Sequence, residues 1–279
     1  MTDRSERTGR QENIMAAKTI LVTGPNGFVG ARIMDALSGA VASPSLREAD
    51  GESVKRLMDT VQPDLIIHTA AMSDIGCCAK DPEGSYRANV TLPVLLAGCG
   101  VKTVIFSTDQ VYSGCREEGP YREDTVCPAN LYAEHKIEME KRTLDINPDT
   151  VLLRATWMYD MPRYGSPNRG NFLVSMLREK EITLSFAQRR AVTYVREVAA
   201  LISRAAELPG GIYNYGSEND LTMEETALWL KETLALPIEI RNAGPRHNLW
   251  MDCSKLREHG ICFHSTIEGL KTCIEDYSL

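Results

Sequence analysis

Long apolar runs are missing from this 279-residue chain. No stretch approaches the roughly 20 consecutive apolar residues that a membrane helix needs, so no membrane segment is expected. Positive charge is in deficit: 31 Lys and Arg against 38 Asp and Glu, a net charge of -7. A nucleic-acid binder usually carries a basic face, so that partner class is not expected. The eight cysteines are scattered and form no C-x-x-C pair, which removes the common zinc and thioredoxin patterns. Free thiols in a reducing cytoplasm are the simple reading, and a redox role for the adjacent Cys77 and Cys78 is the weaker one. His, Asp and Glu do not cluster at ligand-like spacing, so no metal is expected. Repeats, low-complexity tracts and heptads are also lacking. Residues 1–17 are polar and charged and have no apolar centre, so they do not read as a secretory signal. They read as a flexible tail, with Met15 an alternative start.

What is present is an ordinary globular composition, 43% hydrophobic and 25% charged, long enough for one or two domains. The run at 19–23 is short, apolar and bounded by glycine, so it reads as a buried parallel strand. A Gly-rich turn, Gly24-Pro-Asn-Gly27-Phe-Val-Gly30, follows, then an amphipathic helix at 30–37. A short strand is expected at 40–43, a helix at 52–61 with Val54, Leu57, Met58 and Val61 on one face, and a third strand at 65–68. A helix at 86–97, a strand at 104–107, a helix at 131–143 and a strand at 151–154 continue the alternation. That pattern specifies an α/β fold, a doubly wound parallel sheet with right-handed crossovers. Beyond Arg154 the pattern loosens. A loop is expected at 160–169, helices at 171–178, 195–207 and 223–234, and strands at 182–186 and 237–240. The expected organisation is a Rossmann domain over 18–157 to which 190–215 returns. A smaller C-terminal substrate-binding lobe would take 158–189 and 216–279.

Two features carry chemistry. The Gly turn lies between a strand and a helix, the context a dinucleotide site requires. Its glycines let backbone N–H groups approach a pyrophosphate, and the helix N-terminus adds its positive dipole end. Further on, Tyr132 and Lys136 are four residues apart on a predicted helix, hence on one face. Thr108 ends a strand of the same sheet, and ligands bind beyond the carboxyl ends of such strands. A tyrosine is a poor acid or base at neutral pH, but a nearby ammonium stabilises its phenolate. Tyr132 can then exchange a proton with a substrate oxygen while Thr108 orients that oxygen and a cofactor handles hydride.

The turn T-G-P-N-G-F-V-G, the strand end S-T-D-Q-V-Y and the helix start Y-A-E-H-K resemble those of extended short-chain dehydrogenase/reductases. More closely, P-D-L-I-I-H-T-A-A (63–71), S-T-D-Q-V-Y-S-G (107–114), P-Y-R-E-D (120–124), L-R-A-T-W-M-Y (153–159), N-F-L-V-S-M-L (171–177) and D-C-S-K-L (252–256) are similar to dTDP-4-dehydrorhamnose reductases. The resemblance runs from Lys18 onward. It implies NAD(P)H-dependent reduction of a 4-keto sugar nucleotide in nucleotide-sugar and polysaccharide biosynthesis. Thr108, Tyr132 and Lys136 would be catalytic. Gly24, Asn26, Gly27, Phe28, Val29, Ala70, Ala71 and Met72 would line the cofactor, with Tyr132 and Lys136 reaching it too. Gln110, Trp157, Asn171, Arg190 and Arg246 would line the sugar-nucleotide cleft, arginine being suited to phosphate.

The sequence departs from that pattern in three places. The second-strand region has no acidic residue for an adenosine ribose, but has Ser43, Ser45 and Arg47, so NADP(H) is slightly favoured over NAD(H), with Ser43 and Arg47 as cofactor contacts. His135 stands where Ser or Thr is frequent and is expected to be a partly exposed helix histidine with no catalytic role. The family stretch D-Q-x-G-x-P-T appears as Phe186-Ala-Gln-Arg-Arg-Ala-Val-Thr193, where substrate specificity would be set. Two alternatives follow. One is a sugar-nucleotide epimerase or dehydratase, the dehydratase being disfavoured by Asp109-Gln110 after Thr108. The other is a non-catalytic, cofactor-binding regulatory subunit, such as that of methionine adenosyltransferase. The assembly state is open, a homodimer being one option.

Overall fold

The computed structural model describes residues 18–162, 170–242 and 248–279. The expected tail at 1–17, most of the loop at 160–169, and Arg246 lie outside the described residues. The chain divides into two compact units. The first takes residues 18–107 with Glu134–Leu153 and Ala199–Ile212; the second takes Thr108–Ala133, Arg154–Val198 and Tyr213–Leu279.

The first unit is built on alternating elements. Strand β1 (Ile20–Thr23) leads through the Gly turn to α1 (Phe28–Ala36), then β2 (Val41–Ala42), α2 (Gly51–Val61) and β3 (Leu65–His68). Both β1 and β3 are buried along their whole length, as a parallel strand covered on two faces must be. Next come α3 (Ile75–Lys80), α4 (Pro82–Tyr86), a π-helical turn at Arg87–Thr91 and α5 (Leu92–Ala97). Strand β4 (Lys102–Thr108) runs into a 3₁₀ turn, Asp109–Tyr112. Helix α6 (Leu131–Ile146) and β5 (Val151–Ala155) follow. The sheet order is β2-β1-β3-β4-β5, completed by a later strand, β9 (Gly211–Tyr215). β1 pairs in parallel with β2 and β3, and β3 with β4. The winding therefore reverses at β1 and β3, where a doubly wound sheet opens its ligand crevice.

Local chemistry explains the elements. Asp50 caps α2 by accepting the Ser53 N–H at 2.8 Å, and Val54 packs with Leu46, Leu92 and Leu96. Met139 of α6 packs on Ile105 of β4 and Leu152 of β5. The single helix expected over 86–97 is instead three pieces. Pro93 has no N–H to offer the Asn89 carbonyl, and the ladder widens to a π turn just before it.

The second unit carries two small parallel pairs. β6 (Trp157–Tyr159) pairs with β8 (Val192–Tyr194), and β7 (Glu181–Leu184) with β10 (Glu239–Asn242). Helices α7 (Phe172–Arg178), α9 (Met223–Thr233), α10 (Ser254–Glu258) and α11 (Thr266–Tyr277) also lie here, while α8 (Val195–Ala205) passes from this unit into the first. Tyr159, Phe172, Met176, Tyr194, Leu230 and Leu270 form its core. Capping boxes start α9 (Thr222 with Glu225) and α11 (Ser265 with Glu268). Elements here that were not expected from the sequence are β6 and β8, three residues each and too short to show a period, and the helices α10 and α11.

Candidate active site

The Gly turn is tight for a stated reason. Gly24 sits at φ +69°, and a Cβ there would meet the Ala70 N at 2.8 Å. A Cβ on Gly30 would overlap the Gly24 carbonyl oxygen. The turn is thus pressed against the chain leaving β3, where Thr69 Oγ1 donates to the Thr23 carbonyl at 2.7 Å. Gly27 is the N-cap of α1, makes no side-chain cap bond and is exposed with Asn26; the helix has no acidic residue in its first turn. Small residues, an uncapped N-terminus and no competing carboxylate suit a pyrophosphate. Phe28 and Val29 are half-buried in that first turn, and the Arg32 guanidinium lies over the Phe28 ring at 4.4 Å.

The neighbouring segment is held by a chain of polar groups. Asn89 receives the Met72 N–H at 3.1 Å and returns a bond to its carbonyl at 2.9 Å. Asn89 also reaches the Ser85 hydroxyl at 3.2 Å, and that hydroxyl pairs with His135 Nδ1 at 2.9 Å. His135 is therefore buried in the fold, not partly exposed as expected: Ser85 of α4 meets its Nδ1 and the Tyr86 ring packs edge-on against it at 5.3 Å. Burial lowers its pKa. Ala70 and Met72 are half-buried and Ala71 exposed. In the second-strand region Ser43 is buried with its hydroxyl on the Pro44 carbonyl at 2.9 Å, whereas Ser45 and Arg47 are exposed.

Lys136 is buried, and its Nζ donates to the Phe106 carbonyl of β4 at 2.8 Å. Burial pushes its pKa down to about 8, against the pull of Glu140 one turn along. Glu140 accepts the Ser107 hydroxyl at 2.6 Å, so α6 is fastened to β4 at two adjacent residues. His68 lies on the next strand. Its Nδ1 pairs with Thr23 Oγ1 at 2.6 Å, its Nε2 makes no hydrogen bond, and burial with the Lys136 charge lowers its pKa to about 3. Tyr132 is buried at the start of α6, one turn before Lys136. Thr108 ends β4; its hydroxyl oxygen accepts the Gln110 N–H at 3.2 Å, and the hydroxyl donates to Asp109 Oδ1 at 3.5 Å.

Asp109, which in the sequence serves only to disfavour a dehydratase, has a structural part as well. It is buried, and Arg190 grips it through Nε at 3.1 Å and Nη2 at 2.8 Å. Thr156 donates to it at 3.0 Å. The same guanidinium lies over the exposed Trp157 ring at 5.1 Å. Arg190, expected to meet a substrate phosphate, thus has its charge balanced within the protein. Gln110 takes a bond from Asn130 Nδ2 at 3.2 Å, and Asn130 caps α6 by accepting the Ala133 N–H at 2.9 Å. Asn171 caps α7 by accepting the Val174 N–H at 3.1 Å and donates to the Asp160 carbonyl at 2.8 Å, so both ends of its amide are engaged. Glu140 and Asn89 had no sequence signal: each is a polar residue on a helix until its partner is seen.

The family model "RmlD substrate binding domain" matches residues 18–241. The chain is 31% identical over 234 residues to the Xenopus laevis protein named methionine adenosyltransferase 2 subunit beta, covering 76% of this chain and 70% of that one. It is 28% identical over 215 residues to the dTDP-4-dehydrorhamnose reductase of Burkholderia thailandensis, covering 71% and 70%. The solved structure of the Bacillus anthracis dTDP-4-dehydrorhamnose reductase in complex with NADP superposes with a TM-score of 0.80 at 22% identity, covering 93% and 98%, which establishes a shared Rossmann-like fold. The chain belongs to the RmlD substrate binding domain family, among the extended short-chain dehydrogenase/reductase-like proteins.

Proposed function

We propose that the chain reduces the keto carbon of a 4-keto sugar nucleotide, dTDP-linked in the first instance, with NADPH preferred over NADH. One observation carries this reading: Lys136, one helical turn from Tyr132, is buried and anchored to the carbonyl two residues before Thr108. A bound nicotinamide would supply the hydride. Thr108 turns its hydroxyl from Asp109 to hydrogen-bond the keto oxygen and orient it. Tyr132 gives that oxygen its proton as general acid. The ammonium of Lys136 favours the phenolate left behind. The Gly turn and the α1 N-terminus hold the pyrophosphate, and Ser45 with Arg47 would meet a 2′-phosphate.

The test is oxidation of NADPH by purified protein with a dTDP-4-keto-6-deoxyhexose, followed at 340 nm. Tyr132→Phe should lower turnover by about 10²–10⁴-fold, the usual worth of a general acid, while leaving the NADPH-induced rise in melting temperature in place. Equal turnover in the variant would remove Tyr132 from the mechanism.

A second reading is favoured by a specific feature. Where the reductase pattern D-Q-x-G-x-P-T has glycine, this chain has Arg190, which pairs with Asp109 beside Thr108. A side chain in place of glycine beside that threonine suits a protein that binds a nucleotide without turning over a sugar. The Xenopus laevis relative is named as a subunit of methionine adenosyltransferase. Under this reading NADPH raises the melting temperature, no sugar nucleotide is reduced, and addition of the chain changes the kinetics of a methionine adenosyltransferase catalytic chain.

A further inference from the structure

The segment from Thr108 to Tyr132 leaves the sheet as a 3₁₀ turn, loops out and returns to start α6. Its neck is fastened by hydrogen bonds between its two sides. Gly114 N–H donates to the Cys127 carbonyl at 2.7 Å, and Cys127 N–H to the Val111 carbonyl at 2.8 Å. Ala129 N–H meets Ser113 Oγ at 2.9 Å, and Asn130 Nδ2 meets Gln110 Oε1 at 3.2 Å. Two cysteines lie in this neck. Cys127 is exposed and Cys115 half-buried. The Cys127 side chain folds over residue 114, since a Cβ on Gly114 would sit 3.1 Å from its Sγ. The next residue is Cys115, and the Cys127 thiol is among the groups that neighbour its own.

That arrangement meets what a disulfide needs: backbones already paired, side chains turned toward each other, and one sulfur open to solvent. The adjacent Cys77 and Cys78 do not meet it. Cys78 is buried with its thiol on the Met72 carbonyl at 3.2 Å, while Cys77 is exposed.

We propose that Cys115 and Cys127 are a thiol–disulfide modification site, closed by low-molecular-weight disulfides such as oxidised glutathione, that locks the neck joining Thr108 to Tyr132. The chemistry balances in two exchanges. The Cys127 thiolate attacks one sulfur of the small disulfide, whose S–S bond breaks. The departing thiolate takes up the proton Cys127 lost. Cys115 then loses its proton and attacks the Cys127 sulfur of the mixed disulfide, and the second small thiolate leaves with that proton. Two protein thiols are oxidised by two electrons, and one small disulfide becomes two thiols. The order follows from exposure. Burial pushes the Cys115 thiol up to about 11, helped by its Cys127 and Glu117 neighbours, so Cys115 is the slower, resolving partner. The site stands whichever functional reading holds, because it is argued from the neck alone.

The experiment incubates the full-length protein with excess oxidised glutathione, quenches with an alkylating agent, and maps non-reduced peptides by mass spectrometry. The expected result is a cross-linked pair of peptides containing Cys115 and Cys127, each short of one hydrogen, reopened by dithiothreitol. Exposed Cys77 and Cys262 give separate adducts at the peptide level and do not interfere. In Cys115→Ser the exchange should stop half-way, with glutathione retained on Cys127 as the dominant species. Thermal melting of that variant checks that it is folded. Wild-type protein that retains glutathione on Cys127 while Cys115 is still alkylated would overturn the proposal, as would recovery of both cysteines as free alkylated thiols.

Discussion

At the residue scale the most consequential side chain is Lys136, because its charge is held against burial. Its pKa is lowered to about 8, so the ammonium is intact below that pH and lost as pH rises through it. An unfolded lysine keeps its proton to about 10.4. Between the two values the unfolded chain binds more protons, so the stability contributed by this site rises with pH there. Activity should move the other way. The kcat/KM of the proposed reduction should fall above about pH 8 while the melting temperature shows no parallel drop from this residue. Lys136→Arg, which cannot lose its charge, should push that limb beyond the range where it can be measured; an unchanged limb near pH 8 would assign it to another group. The Asp109–Arg190 pair makes a second residue-level prediction. Both partners are largely withdrawn from water, with side-chain exposures of 2% and 14%. Removing one leaves an uncompensated charge, so Arg190→Gly should cost about 3–5 kcal/mol in urea unfolding. Arg190→Gly combined with Asp109→Asn should cost less than the two single changes added together. Strict additivity would mean that the pair does not couple.

At the scale of elements, the Gly turn shows why some of the site was legible and some was not. A strand, a G-x-x-G-x-x-G spacing and a helix are local facts, and the structure places them where the sequence puts them. Thr108, Tyr132 and Lys136 were equally local, lying on one strand end and one helix. The partners that hold these groups came from distant sequence: Asn89 for Met72, Glu140 for Ser107, Arg190 for Asp109. No periodicity encodes a contact between residues 81 positions apart. His135 was misread for the same reason, since Ser85 covers it from a helix 50 residues earlier. The turn itself gives a test. A methyl group at Gly30 must displace the Gly24 carbonyl, part of the loop that would meet the pyrophosphate. Gly30→Ala should therefore cost about 1–3 kcal/mol of stability through overpacking and abolish the NADPH-induced thermal shift. Asn26→Ala, at an exposed position, should leave stability within about 0.5 kcal/mol. A normal thermal shift in Gly30→Ala would show that the turn tolerates the movement and that its tightness is not what binds the cofactor.

For the whole molecule, neither unit is contiguous in sequence. The chain passes from one unit to the other at 107/108, 133/134, 153/154, 198/199 and 212/213. The stretch Ala199–Ile212 belongs to the first unit although it follows the bulk of the second. Ala199, Ile202 and Ala205 are buried there, Ile212 packs with Met139 and Leu152, and the Leu208 carbonyl accepts Lys102 Nζ at 2.8 Å. Gly211 N–H donates to the Thr150 carbonyl at 2.9 Å, and Gly210 lies so close to Pro148 that a Cβ would overlap its carbonyl oxygen. A fragment cut at residue 157 keeps the Gly turn, Thr108, Tyr132 and Lys136, yet loses β9, α8 and the Ile212 side chain that packs on the Ile105 and Leu152 cluster. Its cost is concrete. An edge of the sheet is left unpaired, and apolar groups at Leu152 and Ile105 lose cover. Fragment 18–157 should therefore unfold without a sharp urea transition, bind a hydrophobic dye, and gain no stability from NADPH, whereas full-length protein gives a cooperative transition that NADPH moves upward. A fragment that melted cooperatively and responded to NADPH would show that the returning segment is dispensable and that the nucleotide-binding half folds from contiguous sequence.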